Sequence, residues 1–267
     1  MPNPGAKVTD AIDRISPTHR PKNQRVVMRQ TWERLLFLHW QVEADLLQKM
    51  LPPELTLDVF DGKAYVGLVP FSMRNVRPVW SPSVPGLSHF PEINVRTYVH
   101  HKGSDPGVWF FSLDAENPVA VFLARALFKL PYFQARFSLR QEGDAVDYSS
   151  ERRGTGAKAV CRVRYAPSGP PLPATPGTLE YFLAERYLLY SYDGANLYRG
   201  QVHHTPYPLQ PVAVELTENT LVSAAGISLS PEMETHPLLA HYAAGVSVEV
   251  FPLVRVSPEI SYENITT

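Results

Sequence analysis

Short alternating segments, broken at close intervals by turn-forming residues, constrain this chain more than any other feature. Asp61-Gly62 stands between Leu55–Phe60 and Lys63–Met73, and both flanks are rich in β-formers. An Asp-Gly pair tolerates the positive φ of a tight hairpin turn, so this stretch predicts a hairpin. Residues 92–101 and 107–113 flank a turn at Gly103–Gly107, and Phe133–Gln141 and Val146–Glu151 flank Glu142-Gly143-Asp144. Further strands are predicted at 157–165, 195–204, 211–217 and 246–255. Spacing this regular argues for a barrel or a sandwich.

Helical signals are fewer. Asn117 can cap a helix that starts at Pro118, with Val121, Phe122, Ala124, Leu127 and Phe128 at helical spacing and Pro131 as its stop. Thr178 can cap a second helix, in which Leu179, Phe182, Leu183, Arg186, Tyr187 and Tyr190 recur at three and four. A short helix near Val42–Met50 ends at Pro52-Pro53. Pro167–Gly177 holds five prolines and two glycines between strands of similar character, so it reads as a surface loop rather than a linker. The expected organisation is a flexible leader at 1–25, one domain at 26–256 and a tail at 257–267.

Composition narrows the functional classes. A 267-residue chain that is 44% hydrophobic can bury a substantial core. Its formal net charge of −1 provides no field for steering nucleic acid, and no apolar run is long enough to span a bilayer. Neither a nucleic-acid nor a membrane partner is expected, residues 1–25 carry no signal-peptide pattern, and a cytoplasmic location is the default. Cys161 is the single cysteine, which excludes an intramolecular disulfide and a multi-cysteine metal site. Alternation around it predicts an ordinary half-buried strand residue. Phosphate-binding, dinucleotide-binding and serine-nucleophile motifs are missing, so no cofactor is implied. The pairs His100-His101 and His203-His204 lie on predicted strands, where neighbours point to opposite faces. One member of each pair can face a cavity, with His204 the candidate ligand contact, and no metal site is expected.

Two segments carry polar residues where apolar ones predominate. On the strand at 92–98, Glu92, Asn94, Arg96 and Tyr98 share one parity and Ile93, Val95, Thr97 and Val99 the other. That row either faces solvent or lines a barrel interior. Arg125 interrupts the apolar helix after Asn117 near its C-terminal end, where the helix dipole alone would favour a cation, as it would for Lys129. Arg186 falls among the apolar positions of the second helix, and a buried arginine normally requires an anionic partner or ligand.

These segments resemble a known family. Leu36-Phe37-Leu38-His39-Trp40, Phe90–Val99, Gly107–Ala115, Leu130-Pro131-Tyr132, Glu185-Arg186-Tyr187 and Val202-His203-His204 together resemble the YqjF-like bacterial family of unknown function, in order over about residues 28–255. That family is distantly similar to acetoacetate decarboxylase, which implies a mostly-β, closed or nearly closed antiparallel barrel with two or three packed helices. Placing Arg125 and Pro131 on the decarboxylase motif puts Tyr132 and Phe133 where the decarboxylase carries two lysines, and Glu92 on a pocket glutamate. A Schiff base requires an amine, which neither residue supplies. The resemblance therefore implies a cavity without the lysine chemistry. One reading is a module that binds a small organic, carboxylate-bearing ligand through Arg125, Arg186, Asn94, Arg96 and His204. The other is a lyase- or dehydratase-type enzyme with Tyr132 and Glu92 as acid and base and an arginine as anion clamp. A partner-binding structural protein ranks third, and the oligomeric state stays open.

Overall fold

The computed structural model describes residues 12–154 and 156–256. Its largest departure from expectation is β1 (Met28–Val42), a long strand in which Leu35–Trp40 are buried at every position. Alternation failed as a signal because both faces of β1 are covered. Leu36, Leu38 and Trp40 pack on one side with Val146, Tyr148, Val163 and Tyr165, while Leu35 and Phe37 pack on the other with Val69, Phe71 and Val248.

Strand pairing explains the two faces. β1 pairs with β3 (Ala64–Pro78) and with β13 (Leu239–Val250). β3 pairs with β4 (Phe90–His101), and β4 with β5 (Ser104–Ala115). From β5 the pairings continue through β9 (Leu188–Tyr192) and β10 (Leu197–His203) back to β13. The sheet thus curls into a near-barrel, with its thinnest seams at β5–β9 and β10–β13, two residue pairs each. A second antiparallel run, β6 (Tyr132–Glu142), β7 (Ala145–Arg152), β8 (Val160–Pro167) and β12 (Val212–Asn219), leaves β5 and lies over one side of this near-barrel. Short strands β2 (Leu55–Leu57), β11 (Leu209–Gln210) and β14 (Val254–Arg255) pair with β4, β13 and β10.

The sheet is not wholly antiparallel. β5 pairs in parallel with β6 and with β9. Between β5 and β6 the chain crosses over through α2 (Pro118–Phe128), and a helical crossover returns the next strand in the same direction. Asn117 caps α2 as expected, accepting from the amides of Val119 and Ala120.

Short α1 (Ala44–Gln48) and α3 (Leu179–Ala184) also sit where predicted, but α3 stops at Ala184 instead of reaching Tyr190. Residues 188–192 pair with β10; Tyr190, counted as a helical position, belongs to that strand, and Tyr187 lies in the irregular segment before it. Two single-turn helices, α4 (Leu221–Ala224) and α5 (Pro231–Thr235), escaped prediction because so short a segment has no periodicity to read. Five α-helices therefore occur among the described residues, against the two or three expected.

The turn chemistry held locally. Asp61 (φ 49°) and Gly62 (φ 73°) form the tight turn, as do Lys102 (φ 49°) and Gly103 (φ 78°) between β4 and β5. At Asp61-Gly62, however, only the Phe60–Lys63 bridge closes, and β2 pairs with β4 rather than β3. Arg152 forms a bidentate pair with fully buried Asp114 (2.7–3.1 Å), tying β7 to β5. Cys161 is fully rather than half buried, and burial pushes its thiol up to about 12.

Of the expected leader, residues 1–11 lie outside the described residues, as does the expected tail. Residues 12–25 are held against the body. Arg14 pairs with Asp58, and Gln201 Nε2 donates to the carbonyls of Pro17 and His19, both at 3.0 Å. In the proline-rich loop after β8, the Leu172 amide donates to the Leu209 carbonyl at 2.7 Å. No helix among the described residues is long and apolar enough to cross a membrane.

Candidate functional site

The near-barrel encloses a cavity of about 370 Å³ whose walls are mainly apolar, including Phe37, Phe71, Phe110 and Leu113. Its mouth lies between the 76–88 segment and α2. The polar row of β4 faces inward: Glu92, Asn94 and Arg96 all line the cavity, while Ile93 and Val95 pack under the β6–β7–β8–β12 run. Sequence alone left that row between solvent and interior. Burial of both faces of β4 decides it.

At one end, Tyr132 Oη donates to Glu92 Oε2 at 2.9 Å, and Tyr148 Oη donates to the Glu92 backbone carbonyl at 2.7 Å. Glu92 and Tyr132 are 2% and 7% exposed. Burial pushes the Glu92 carboxyl up to about 8; the Tyr132 hydroxyl opposes the rise, and nearby Asp114 adds to it. Burial, reinforced by Glu92, likewise raises the Tyr132 phenol well above its usual range. At neutral pH the pair is therefore predominantly a carboxylic acid beside a neutral phenol, able to donate or accept a hydrogen bond without carrying charge.

Arg96 lies four residues along β4 from Glu92, about 13 Å at strand spacing. Its Nη2 donates to the Leu183 carbonyl at 3.1 Å, its guanidinium stands over Phe37 and Tyr98, and its Nε has no acceptor. No carboxylate among the described residues lies within ion-pair distance of it. Asn94, between the two ends, leaves its buried Oδ1 without a donor. Arg186 also lines the cavity, although α3 ends before it; Nη1 binds Asp58 Oδ2 at 2.7 Å and Nε binds the Phe182 carbonyl at 2.7 Å.

Two candidates lie elsewhere. Arg125 is exposed, does not line the cavity, and donates through Nε to the backbone carbonyl of Tyr132 at 2.6 Å. Its helical phase carries it around to an outer groove shared with Lys129 and Trp109. His204 is buried but stands behind the wall, stacked on Tyr187 with ring centroids 4.4 Å apart. Its Nδ1 binds the Thr205 carbonyl at 2.7 Å, and burial lowers its pKa to about 4.

Sequence reading missed Asp58, the anion that holds Arg186 and Arg14. It also missed the Glu185 cluster, in which Tyr187 Oη donates to Oε2 at 2.6 Å and the Tyr207 amide to Oε1 at 2.8 Å. Asp58 had a readable signal: an acid in the otherwise β-forming run Leu55–Phe60.

A family model described as an uncharacterized conserved protein matches residues 29–247. Uncharacterized protein YqjF of Bacillus subtilis (strain 168) is 42% identical over 231 residues, covering 86% of this chain and 93% of that protein. The chain belongs to the YqjF-like family. Solved structures extend the likeness at the level of fold. Acetoacetate decarboxylase from Legionella pneumophila matches with TM-score 0.56 and 15% identity, over 88% of this chain and 90% of that one. An acetoacetate decarboxylase-like enzyme from Sphingomonas wittichii RW1 matches with TM-score 0.58 and 12% identity, over 87% and 94%.

The low identity to acetoacetate decarboxylase argues against a shared lysine Schiff-base mechanism. Tyr132 and Phe133 occupy the positions the resemblance assigns to lysines, and no lysine lines the cavity among the described residues. Lys129, the nearest in sequence, is exposed at the end of α2.

Proposed function

We propose that the cavity binds a small organic acid with an apolar body, its carboxylate on Arg96 and a neutral polar group at Glu92–Tyr132. The observation that carries this reading is Arg96, a buried guanidinium in the cavity wall with no carboxylate partner among the described residues. A buried charge without a counter-ion is costly, and a ligand anion would remove that cost. Charge balance supports the same reading. Arg96 and Arg186 both stand over the Tyr98 ring, and the single carboxylate Asp58 serves Arg186 and Arg14 together. Glu92, with its carboxyl at about 8, contributes little negative charge at pH 7. Apolar walls fit the body of such a ligand, and Asn94 offers an acceptor midway. The ring of pairings is read as a closed barrel that keeps this interior dry.

A second reading has its own support. The Tyr132–Glu92 bond joins a phenol to an acid that titrates near working pH, the property required of a general acid or base. In that case the bound acid is turned over in a lyase- or dehydratase-type reaction.

A thermal-shift screen of carboxylic acids tests both. At a hundredfold excess over Kd a ligand adds about 2.7 kcal/mol, or roughly 5–10 °C in a chain of this size. Arg96→Met should cut the shift given by the hit by about half or more. Undiminished shifts in Arg96→Met would refute the anion assignment, and NMR of the hit then separates binding from turnover.

A further inference from the structure

We infer that the mouth of the cavity is a docking face for an anionic lipid bilayer. Apart from Arg125, α2 is apolar on its inner and outer faces: Val121 packs inward, while Phe122 and Leu127 are 69% and 62% exposed, and Val119 also faces out. A helix with two apolar faces is normally covered on both. Beside it the 79–87 segment exposes Trp80 at 83%, together with Val84 and Leu87. Asn117 joins the two, because its Nδ2 donates to the carbonyls of Gly86 (3.2 Å) and Leu87 (3.1 Å). The result is one continuous apolar surface, and Val84, Leu87, Val119 and Leu127 line the cavity as well.

Charge selects the occupant. Residues 75–91 and 118–131 contain Arg77, Arg125 and Lys129 and no aspartate or glutamate, and exposed Glu116 just before the Asn117 cap is the one flanking surface acid. The overall net charge of −1 hides this local asymmetry. An isologous contact with a second copy would set a predominantly cationic patch against itself. An anionic bilayer complements it, with apolar helix residues in the acyl boundary, basic residues at the headgroups and an exposed tryptophan as interfacial anchor. Such docking would open the apolar cavity directly onto the lipid phase. The proposal stands whichever ligand the cavity takes.

Co-sedimentation of the full chain with phosphatidylglycerol-containing vesicles, against pure phosphatidylcholine, tests it. Binding should favour the anionic vesicles, weaken with salt, and fall at least about tenfold in Trp80→Ala and in Phe122→Ser/Leu127→Ser. Arg125→Glu/Lys129→Glu should remove the preference for anionic lipid while circular dichroism stays unchanged. Failure of the full chain to sediment with anionic vesicles would overturn the inference. So would binding that is indifferent to all these variants. A dimer seen by light scattering and dissociated by Phe122→Ser/Leu127→Ser, without vesicle binding, would assign the face to a second copy instead. None of these readouts uses the cavity ligand, so they fail independently of the thermal-shift screen.

Discussion

Two buried arginines flank the Tyr98 ring, and their surroundings differ in one respect. Arg186 has Asp58 at 2.7 Å, whereas Arg96 has a backbone carbonyl and two aromatic faces. The first arrangement has its counter-ion within the fold, although Asp58 is shared with Arg14 and Nη2 of Arg186 keeps no partner. The second has no internal counter-ion, which is the gap the proposed carboxylate would fill. Burial of an arginine alone therefore does not single out a binding residue; the proposed assignment of Arg96 rests on burial without an internal counter-ion.

The most severe test of this contrast removes the counter-ion. Asp58→Asn leaves Arg186 charged and unpaired in the interior and frees Arg14 as well. Breaking a buried pair in this way costs about 3–5 kcal/mol, which urea unfolding would register as a lower midpoint at unchanged slope. A loss under about 1 kcal/mol would show that the pair matters little to folding and would erase the distinction.

Arg96→Met should behave in the opposite sense for stability. With no internal carboxylate to orphan, an apolar side chain of similar length should leave stability within about 1 kcal/mol of the parent or raise it. Affinity for a carboxylate ligand should meanwhile fall about ten- to hundredfold, the loss of a charge-assisted hydrogen bond. Isothermal titration with the screening hit reads the second effect and urea unfolding the first.

How much of this was legible beforehand follows from the same physics. The inward row Glu92, Asn94, Arg96 was visible as a parity, since a strand has only two faces. Its direction was not, because that depends on the strand run packed over Ile93 and Val95. β1 was invisible for the same reason: covered on both sides, it shows a continuous apolar run instead of alternation. Tyr132 and Glu92 were paired only through family resemblance, and the 2.9 Å bond brings together residues 40 apart in sequence. Arg125 was placed at the cavity through the resemblance alone, and the structure puts it on the outer groove, because a shared position on a helix does not tell which face meets the cavity.

Glu92 offers a pH test at the other end of β4. Its carboxyl titrates near 8 in the folded chain, against about 4.3 when unfolded. Between those values the folded state holds a proton that the unfolded state releases, so stability is greatest below the lower value and falls as pH rises toward the upper. The slope from this one group approaches about 1.4 kcal/mol per pH unit in mid-window. Glu92→Gln keeps an acceptor for Tyr132 and removes the titration. Urea unfolding at pH 5, 6, 7 and 8 should therefore show a flatter profile in Glu92→Gln than in the parent. Parallel profiles would mean that Glu92 titrates alike in both states and is not the buried acid the second functional reading requires.

The smallest effect is expected at Arg125, and it bears on the contrast because Arg125 is the arginine that lies outside the cavity. Its Nε–Tyr132 carbonyl bond of 2.6 Å touches the residue that holds Glu92, so any influence on the site must pass through the Tyr132 backbone. The guanidinium is exposed, and water replaces much of what the bond supplies. Arg125→Ala should cost about 0.5–1.5 kcal/mol of stability. Because Tyr132 is also held by β5 pairing through Leu113, the hydroxyl should stay on Glu92 and ligand affinity should change by less than about threefold. Titrating the same ligand into Arg125→Ala and Arg96→Met gives the comparison directly. A loss in Arg125→Ala equal to that in Arg96→Met would put the anion within reach of the outer arginine and remove the reason for singling out Arg96.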